Sequence, residues 1–280
     1  MSELLIVGGL TVDRFADGRR APGGSVLHAG LAAVAEGATI TTLTVAGDEP
    51  EARAGLERLA SLGTLVRQAA GATTTYRHDE DAGRRVLVYE TATDPIEEGS
   101  LRDLPEGVMA LLAPIADELP ATVVEALRTR LRPRLTVMLI QGWLRRMELG
   151  AAVHPLALDD VPAALWSAMA SADAIVVSTE DLAEAPNDPF SQAGVLRIHL
   201  GARPILFITL GTEGYLIDDP VADRLVATMP RRVVEGVPTV GAGDTFGAAL
   251  AVRLARGDGP SRAAAAATER VIRMLDGRRS

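Results

Sequence analysis

Cysteine and lysine are both missing from this 280-residue chain. Without Cys it has no disulfide, no thiolate nucleophile and no Cys-ligated zinc. Without Lys, all 28 basic residues are Arg, which excludes Schiff-base chemistry and the lysine of a Walker-type phosphate loop. Aromatic residues amount to 3%, so flat stacking surfaces are scarce. The four His residues (His28, His78, His154 and His199) are scattered outside any HExxH spacing, which argues against a His-rich metal site. A net charge of −9 argues against nucleic-acid partners, which need a basic face. No apolar run approaches the roughly 18 residues that suggest a membrane span. Met1 to Glu3 leads straight into apolar Leu4 to Val7 with no basic n-region, so a secretory signal is not expected.

What is present reads as one large α/β domain over residues 1–280. Hydrophobic residues make up 48% of a 29.4 kDa chain, enough for a substantial core. Short β-type runs (Leu4 to Val7, Thr39 to Val45, Val108 to Leu112, Leu135 to Ile140, Ala174 to Val177, Ile205 to Thr209) alternate with Ala- and Leu-rich helical ones. Ser25 to Glu36 reads as a helix capped by Ser25, and Pro50 to Leu62 as one opened by Pro and stopped by Gly63. Ala121 to Arg130 and Pro162 to Ala170 are two more. This alternation predicts a mainly parallel sheet flanked by helices. Thr73 to Tyr76 and Arg85 to Tyr89, around polar His78 to Gly83, break the rhythm. They read as a β-hairpin, either a lid over a site around residues 73–90 or an edge of the main sheet.

The strongest chemical signal is Gly241-Ala242-Gly243-Asp244, between a β-type stretch (Val233 to Val240) and a helical one (Thr245 to Arg256). Small residues at such a turn allow close backbone approach. The unpaired N–H groups and positive dipole end of the helix favour an anion, most often phosphate. A carboxylate placed there suits a base that takes a proton from an attacking hydroxyl. The four residues alone equally fit a tight turn with Asp244 as its cap. Gly23-Gly24-Ser25 opens another helix. Asp13 follows Val7-Gly8-Gly9, so Asp13 and Gly24 could share a cleft at the carboxyl ends of strands, where ligands of open α/β sheets gather. Thr209-Leu210-Gly211-Thr212-Glu213-Gly214 closes a strand and could meet a nucleotide or be a plain turn.

In this order the segments resemble the ribokinase-like, PfkB-type carbohydrate kinases. The resemblance runs from Val7-Gly8-Gly9 and Asp13 through Gly23-Gly24-Ser25 and Gly47-Asp48 to Thr239-Val240-Gly241-Ala242-Gly243-Asp244. Gln141-Gly142-Trp143-Leu144-Arg145 and Val177-Ser178-Thr179-Glu180-Asp181 resemble the branch that holds myo-inositol and nucleoside kinases. The resemblance implies ATP- and Mg²⁺-dependent phosphorylation of a sugar, polyol or nucleoside hydroxyl. It implies Asp244 as base, with Gly241, Ala242 and Gly243 as the anion hole. Asp13, Gly23, Gly24, Ser25 and Arg145 would serve the acceptor, and Ser178, Thr209, Gly211 and Gly214 the nucleotide. Glu180 and Asp181 would hold Mg²⁺ through water. The missing export signals and the need for ATP point to a cytoplasmic enzyme. Lids in this family often pair across a homodimer, but the lid here looks short, so oligomeric state stays open.

Five residues depart from the pattern. Ser25 replaces a sugar-binding Asn, Leu139 an Asp, Ser178 an Asn, Asp181 a Glu, and Pro238 an Asp. Ser25, Leu139, Ser178 and Pro238 motivate a second reading, a non-catalytic relative that binds nucleotide or sugar as a sensor or partner subunit. A kinase for a phosphorylated acceptor would need cations that only Arg84, Arg85 and Arg145 could supply. His28, three residues past Ser25, could face the acceptor pocket, but reads first as a half-buried, satisfied histidine. Trp143 reads as a candidate stacking residue and Trp166 as core.

Overall fold

A computed structural model describes residues 3–81, 84–182 and 188–279. The chain opens with strands β1 (Glu3–Gly9), β2 (Thr11–Phe15) and β3 (Arg20–Gly23), then helix α1 (Ser25–Ala35). Next come β4 (Thr39–Ala46), α2 (Pro50–Leu62), β5 (Thr64–Ala69) and the hairpin β6 (Thr74–Asp81) and β7 (Arg84–Thr91). Then follow β8 (Met109–Ala113), α3 (Ala121–Leu131), β9 (Leu135–Leu139) and two short strands, β10 (Arg145–Arg146) and β11 (His154–Pro155). The remainder is α4 (Ala163–Ala170), β12 (Ala174–Ser178), α5 (Pro189–Leu200), β13 (Ile205–Thr209), β14 (Tyr215–Asp219), β15 (Arg224–Thr228), α6 (Ala242–Ala255) and α7 (Pro260–Asp276).

Among the described residues the main sheet has nine strands in the order β15-β14-β13-β12-β9-β8-β1-β4-β5. Its neighbours from β12-β13 through β4-β5 pair in parallel, while β14 and β15 add an antiparallel edge. Both faces are buried, and the alternation along each strand assigns side chains to them. In β1, Leu5 and Val7 join one core cluster and Leu4 and Ile6 the other; Ile175 and Val177 oppose Ala174 and Val176 in the same way. The first cluster packs on α3, α4 and α5, the second on α1, α2, α6 and α7. A sheet covered on both faces keeps its runs continuously apolar, which is why these strands stood out in the sequence.

A second, four-stranded sheet has the order β3-β2-β6-β7. The hairpin at residues 74–91 therefore stands apart from the main sheet, and β2 and β3 extend it, with β2 parallel to β6. The turn at 82–83, including Gly83, lies outside the described residues, as do the side chains of 84 and 85.

Three expectations are corrected. Ser25 is the first residue of α1 and not its cap: Gly24 takes that place at φ +97°, and a side chain on Gly24 would collide with the Gly9 carbonyl 2.4 Å away. The stretch Val233 to Val240 is loop, since Gly236 at φ +74° and Pro238 interrupt it. Finally, α6 starts at Ala242, so Asp244 lies inside its first turn.

The tight pairing of β1 with β8 yields a prediction. A Cβ on Gly8 would lie 2.1 Å from the Ala113 carbonyl oxygen. Gly8→Ala is expected to lower stability by about 1–3 kcal/mol through overpacking, read as a lower urea midpoint with an unchanged slope.

Candidate active site

One continuous cavity of about 610 Å³ runs along the carboxyl edge of the parallel strands. Thr11, Asp13, Tyr76 and His78 line one end, and Thr209 to Gly214 the other. Gln141, Arg145, Ser178 to Asp181 and the turn Thr239 to Asp244 lie between them. The placement follows from topology, because parallel strands all end on the same side and the loops after them converge.

Asp244 sits in the middle. It is buried and held in the first turn of α6, where a carboxylate complements the helix dipole. Its Oδ1 accepts a 3.3 Å hydrogen bond from Gln141 Nε2. Gln141 Oε1 accepts in turn from Arg145 Nη2 at 3.1 Å, and the same nitrogen donates to Asp181 Oδ1 at 3.1 Å. Asp181 Oδ2 accepts from the Ser178 backbone N–H at 3.3 Å, while Ser178 Oγ accepts from the Glu180 N–H at 3.3 Å, closing a capping box. A relay of side chains thus joins the loops after β9 and β12 to the start of α6. Burial pushes the Asp244 carboxyl above its ordinary range; His28 and Arg145 oppose that rise, and Asp181 adds to it.

The turn before α6 is built for close approach. Gly241 caps the helix at φ +76°, and the His28 ring lies against it: a Cβ on Gly241 would be 2.3 Å from His28 Cγ. The Ala242 N–H donates to the Thr239 carbonyl at 3.0 Å, so this amide is spent inside the turn. The first helical bond runs from Thr245 to Gly241 at 2.9 Å. The amides of Gly243 and Asp244 therefore have no acceptor within the helix and are suited to an anion.

At the end formed by the small sheet, Asp13 Oδ1 accepts from Thr11 Oγ1 at 3.1 Å and lies 3.4 Å from His78 Nε2. His78 stacks on Phe15 with ring centroids 4.7 Å apart. Tyr76 donates its hydroxyl to the Ile115 carbonyl at 2.8 Å. Behind Ile115 lies Glu118, a buried carboxylate that accepts from the N–H groups of Ile115 and Ala116 at 2.8 Å each. Burial pushes its carboxyl up against those two bonds.

Of the residues singled out from the sequence, the cavity gathers Asp13, Gly24, Arg145, Ser178, Glu180, Asp181, Thr209, Gly211, Gly214 and Gly241 to Asp244. Gly23 and Ser25 lie outside its lining. The Ser25 hydroxyl is buried and turned to the Ala113 carbonyl. Leu139 is core, packed across from Gly247 on α6. Trp143 is buried and donates to the Leu119 carbonyl at 2.8 Å, so it is no stacking platform. Trp166 is core as expected. His28 lines the cavity, so of its two sequence readings the pocket-facing one holds over the ordinary half-buried one. Tyr76, His78 and Gln141 join it without having been singled out as site residues, and Glu118 supports it from behind. A carboxylate in the loop after a strand, as in Pro114 to Glu118, is the one sequence signal by which Glu118 could have been found.

The buried carboxyls yield two predictions. A carboxyl held above its unfolded value of 3.8 costs stability once ionised. Its contribution is most favourable below the unfolded value and is lost as pH rises through the folded one. Asp244→Asn is therefore expected to melt about 1–3 °C higher at neutral pH, with the gain shrinking towards pH 4. Glu118→Ala is expected to cost about 2–4 kcal/mol, because it strands two buried amides; chemical denaturation measures it.

Comparison with known proteins follows the same lines. Residues 144–269 match the pfkB family of carbohydrate kinases. No curated protein matches the chain in sequence. Among solved structures, the chain is similar to a pyrophosphate-dependent kinase of the ribokinase family complexed with a pyrophosphate analog and myo-inositol. That likeness has a TM-score of 0.80 at 20% identity and covers 98% of this chain and 95% of the other. It is also similar to fructokinase from Vibrio cholerae (TM-score 0.75, 18% identity, 99% of each chain). Ribokinase from Thermotoga maritima gives a TM-score of 0.68 at 16% identity, covering 96% of this chain and 91% of that one. No helix among the described residues is long and apolar enough to cross a membrane. The chain thus has the ribokinase fold along its length and carries a pfkB-type carbohydrate kinase match over residues 144–269, which together support a carbohydrate kinase.

Proposed function

We propose that the protein transfers the terminal phosphoryl group of ATP to a hydroxyl of a sugar or polyol. The observation that carries this reading is the position of Asp244, buried at a helix start midway along a cavity with two chemically different ends. A substrate at each end would meet at this carboxylate, which places the reacting groups in one frame.

The lid end suits an acceptor rich in hydroxyls. Asp13 accepts hydrogen bonds, His78 stands beside it, and Tyr76 and Leu87 form the wall. Arg145 lines the cavity, but its guanidinium is already engaged by Gln141 and Asp181. With that cation committed, an uncharged acceptor fits better than a phosphorylated one. Trp143 lies in the core, so little remains to stack on a nucleobase here, and a sugar or polyol is favoured over a nucleoside.

The other end suits a nucleotide. Beyond Thr209 to Gly214, the cavity is lined by Val233, Val234 and the α7 residues Val271, Ile272 and Leu275, of which Val234, Ile272 and Leu275 form one packed apolar cluster. This apolar wall suits a planar base, while the phosphates would run back to the start of α6. Glu180, exposed in the cavity, and Asp181 would hold Mg²⁺ through water, in keeping with the ion's preference for one or two carboxylates plus phosphates and water. Bound there, Mg²⁺ would supply neutralisation of the phosphate charge.

In the transfer, Asp244 takes the hydroxyl proton as the acceptor oxygen forms its bond to the γ-phosphorus. The bond from that phosphorus to the bridging oxygen breaks, and its electron pair leaves with ADP. The amides of Gly243 and Asp244 receive the phosphoryl oxygens. Gln141 holds the carboxylate in place.

A second donor, pyrophosphate, is favoured by the likeness to a pyrophosphate-dependent kinase, but it would leave the apolar wall without a partner. ADP release from Mg-ATP, measured over polyols, sugars and nucleosides with a parallel pyrophosphate arm, decides between them. Turnover with ATP on a sugar or polyol is expected, with Asp244→Asn lowering kcat by at least about 1000-fold. Val271→Glu is expected to raise the KM for ATP about tenfold and leave the acceptor KM unchanged, a loss of roughly 1.4 kcal/mol of binding. Turnover with pyrophosphate alone would move the donor to the second reading. No turnover with either donor would favour a non-catalytic binder.

A further inference from the structure

Apart from the Mg²⁺ proposed above, the chain's own side chains bring little positive charge to the point of transfer. The chain contains no Lys. Among the described residues that line the cavity, only His28, His78, Arg145 and Arg232 can be cationic. Arg145 is held between Asp181 and Gln141. His78 stands by Asp13 at the lid end, and Arg232 bonds Asp276 at the far end. Asp181 and Asp244 already bring two carboxylates to the centre, and a transferring phosphoryl group would add more negative charge.

His28 is the group placed to answer it. It lies on α1 one turn beyond Gly24, its N–H directed to the Gly24 carbonyl at 3.4 Å. Where a Cβ on Gly241 would stand, His28 Cγ is 2.3 Å away, Nδ1 2.5 Å and Cδ2 2.6 Å. The ring therefore occupies the space that glycine leaves open at the cap of α6. Its Nε2 edge is the one farther from Gly241, and the residue lines the cavity. His28 is also the foremost positive influence on the Asp244 carboxyl, ahead of Arg145.

We propose that His28 is a catalytic residue, a hydrogen-bond donor to the transferring phosphoryl group that completes the anion site begun by the first free amides of α6. The assignment rests on the kinase reading above. His28 keeps its proton throughout: Asp244 takes the one from the acceptor, and the imidazole N–H donates to a non-bridging phosphoryl oxygen. A donor fixed in advance by packing against Gly241 would act mainly in the transition state, as other preorganised oxyanion donors do. The glycine at 241 then has a second purpose besides its backbone conformation, since any side chain there would displace the ring.

The test compares His28→Phe and His28→Asn with the wild type under the conditions that give turnover. His28→Phe keeps a planar ring without a donor and is expected to lower kcat about 100-fold with both KM values within about threefold. His28→Asn keeps an N–H donor and is expected to stay within about tenfold of the wild type. In wild-type protein, the His28 ring ¹³Cε1 resonance is expected to move with Mg-AMP-PNP and to stay in place with Mg-ADP. This second readout stands even where His28→Phe fails to fold. A His28→Phe kcat within about threefold of the wild type, or a His28 resonance indifferent to the γ-phosphate, would overturn the proposal alone. His28→Asn as slow as His28→Phe would make His28 a packing residue and overturn it as well. A wild type that turns over no acceptor would remove the kinase reading, and the proposal with it.

Discussion

Burial of the main sheet on both faces is the constraint on which the rest depends. Leu4 to Val7, Met109 to Ala113 and Ala174 to Val177 divide their side chains between two cores, leaving no room for polar chemistry on either face. Only the strand ends remain. Because β1, β8, β9, β12 and β13 run parallel, their carboxyl ends share one edge. Glycines at that edge bring backbone segments within contact, as where Gly24 meets the Gly9 carbonyl. Helix α6, buried from Asp244 to Val252 and packed against α1 and α7, aims its start at the same edge. A carboxylate, the open amides of a helix start and the strand-end loops thus meet at one edge.

Charge is distributed economically around this meeting point. Arg145 is the one guanidinium at the centre among the described cavity residues, and it serves two partners at once, Asp181 and Gln141. Through Gln141 it is linked to Asp244 without touching it. The arrangement keeps Asp244 desolvated and lifted above the usual carboxylate range. It is also oriented by a neutral amide and not neutralised by a salt bridge. A carboxylate paired directly with Arg would be a weaker base, because the opposite charge favours its ionised form. The interposed amide fixes geometry while sparing basicity.

Much of the main sheet was legible because buried parallel strands are continuous apolar runs between helices with clear starts and stops, as at Pro50 and Gly63. The small sheet was half legible: the hairpin carried its own β pattern, but β2 and β3 are short and take their order from pairing with β6. Val233 to Val240 misled because β-branched residues there line a cavity and back a helix instead of pairing in a ladder. At the site, the glycine turns and Asp244 were readable as local motifs. Ser25 was misread because Gly24 could take the cap. His28 was half readable: its place on the helix after Gly24 allowed it to face the acceptor pocket, but its packing on Gly241 is a contact distant in sequence. His78 draws its meaning from distant Asp13, and Glu118, whose own bonds are local, matters because the turn it holds meets Tyr76.

The departures from the family pattern take on a different weight once placed. Ser25 spends its hydroxyl on the end of β8, and Leu139 fills the space against Gly247. Neither lines the cavity, so neither removes a group from the centre. Ser178 caps the turn that presents Glu180 and Asp181, work that a short side chain with one acceptor does as well as an amide. Pro238 offers its carbonyl to Arg278 and tethers the loop before α6 to the end of α7. Under the kinase reading, the substitutions thus fall on the scaffold around the reacting groups. The groups that would carry the chemistry, Asp244 with Gln141 behind it and the open amides of α6 before it, are all in place.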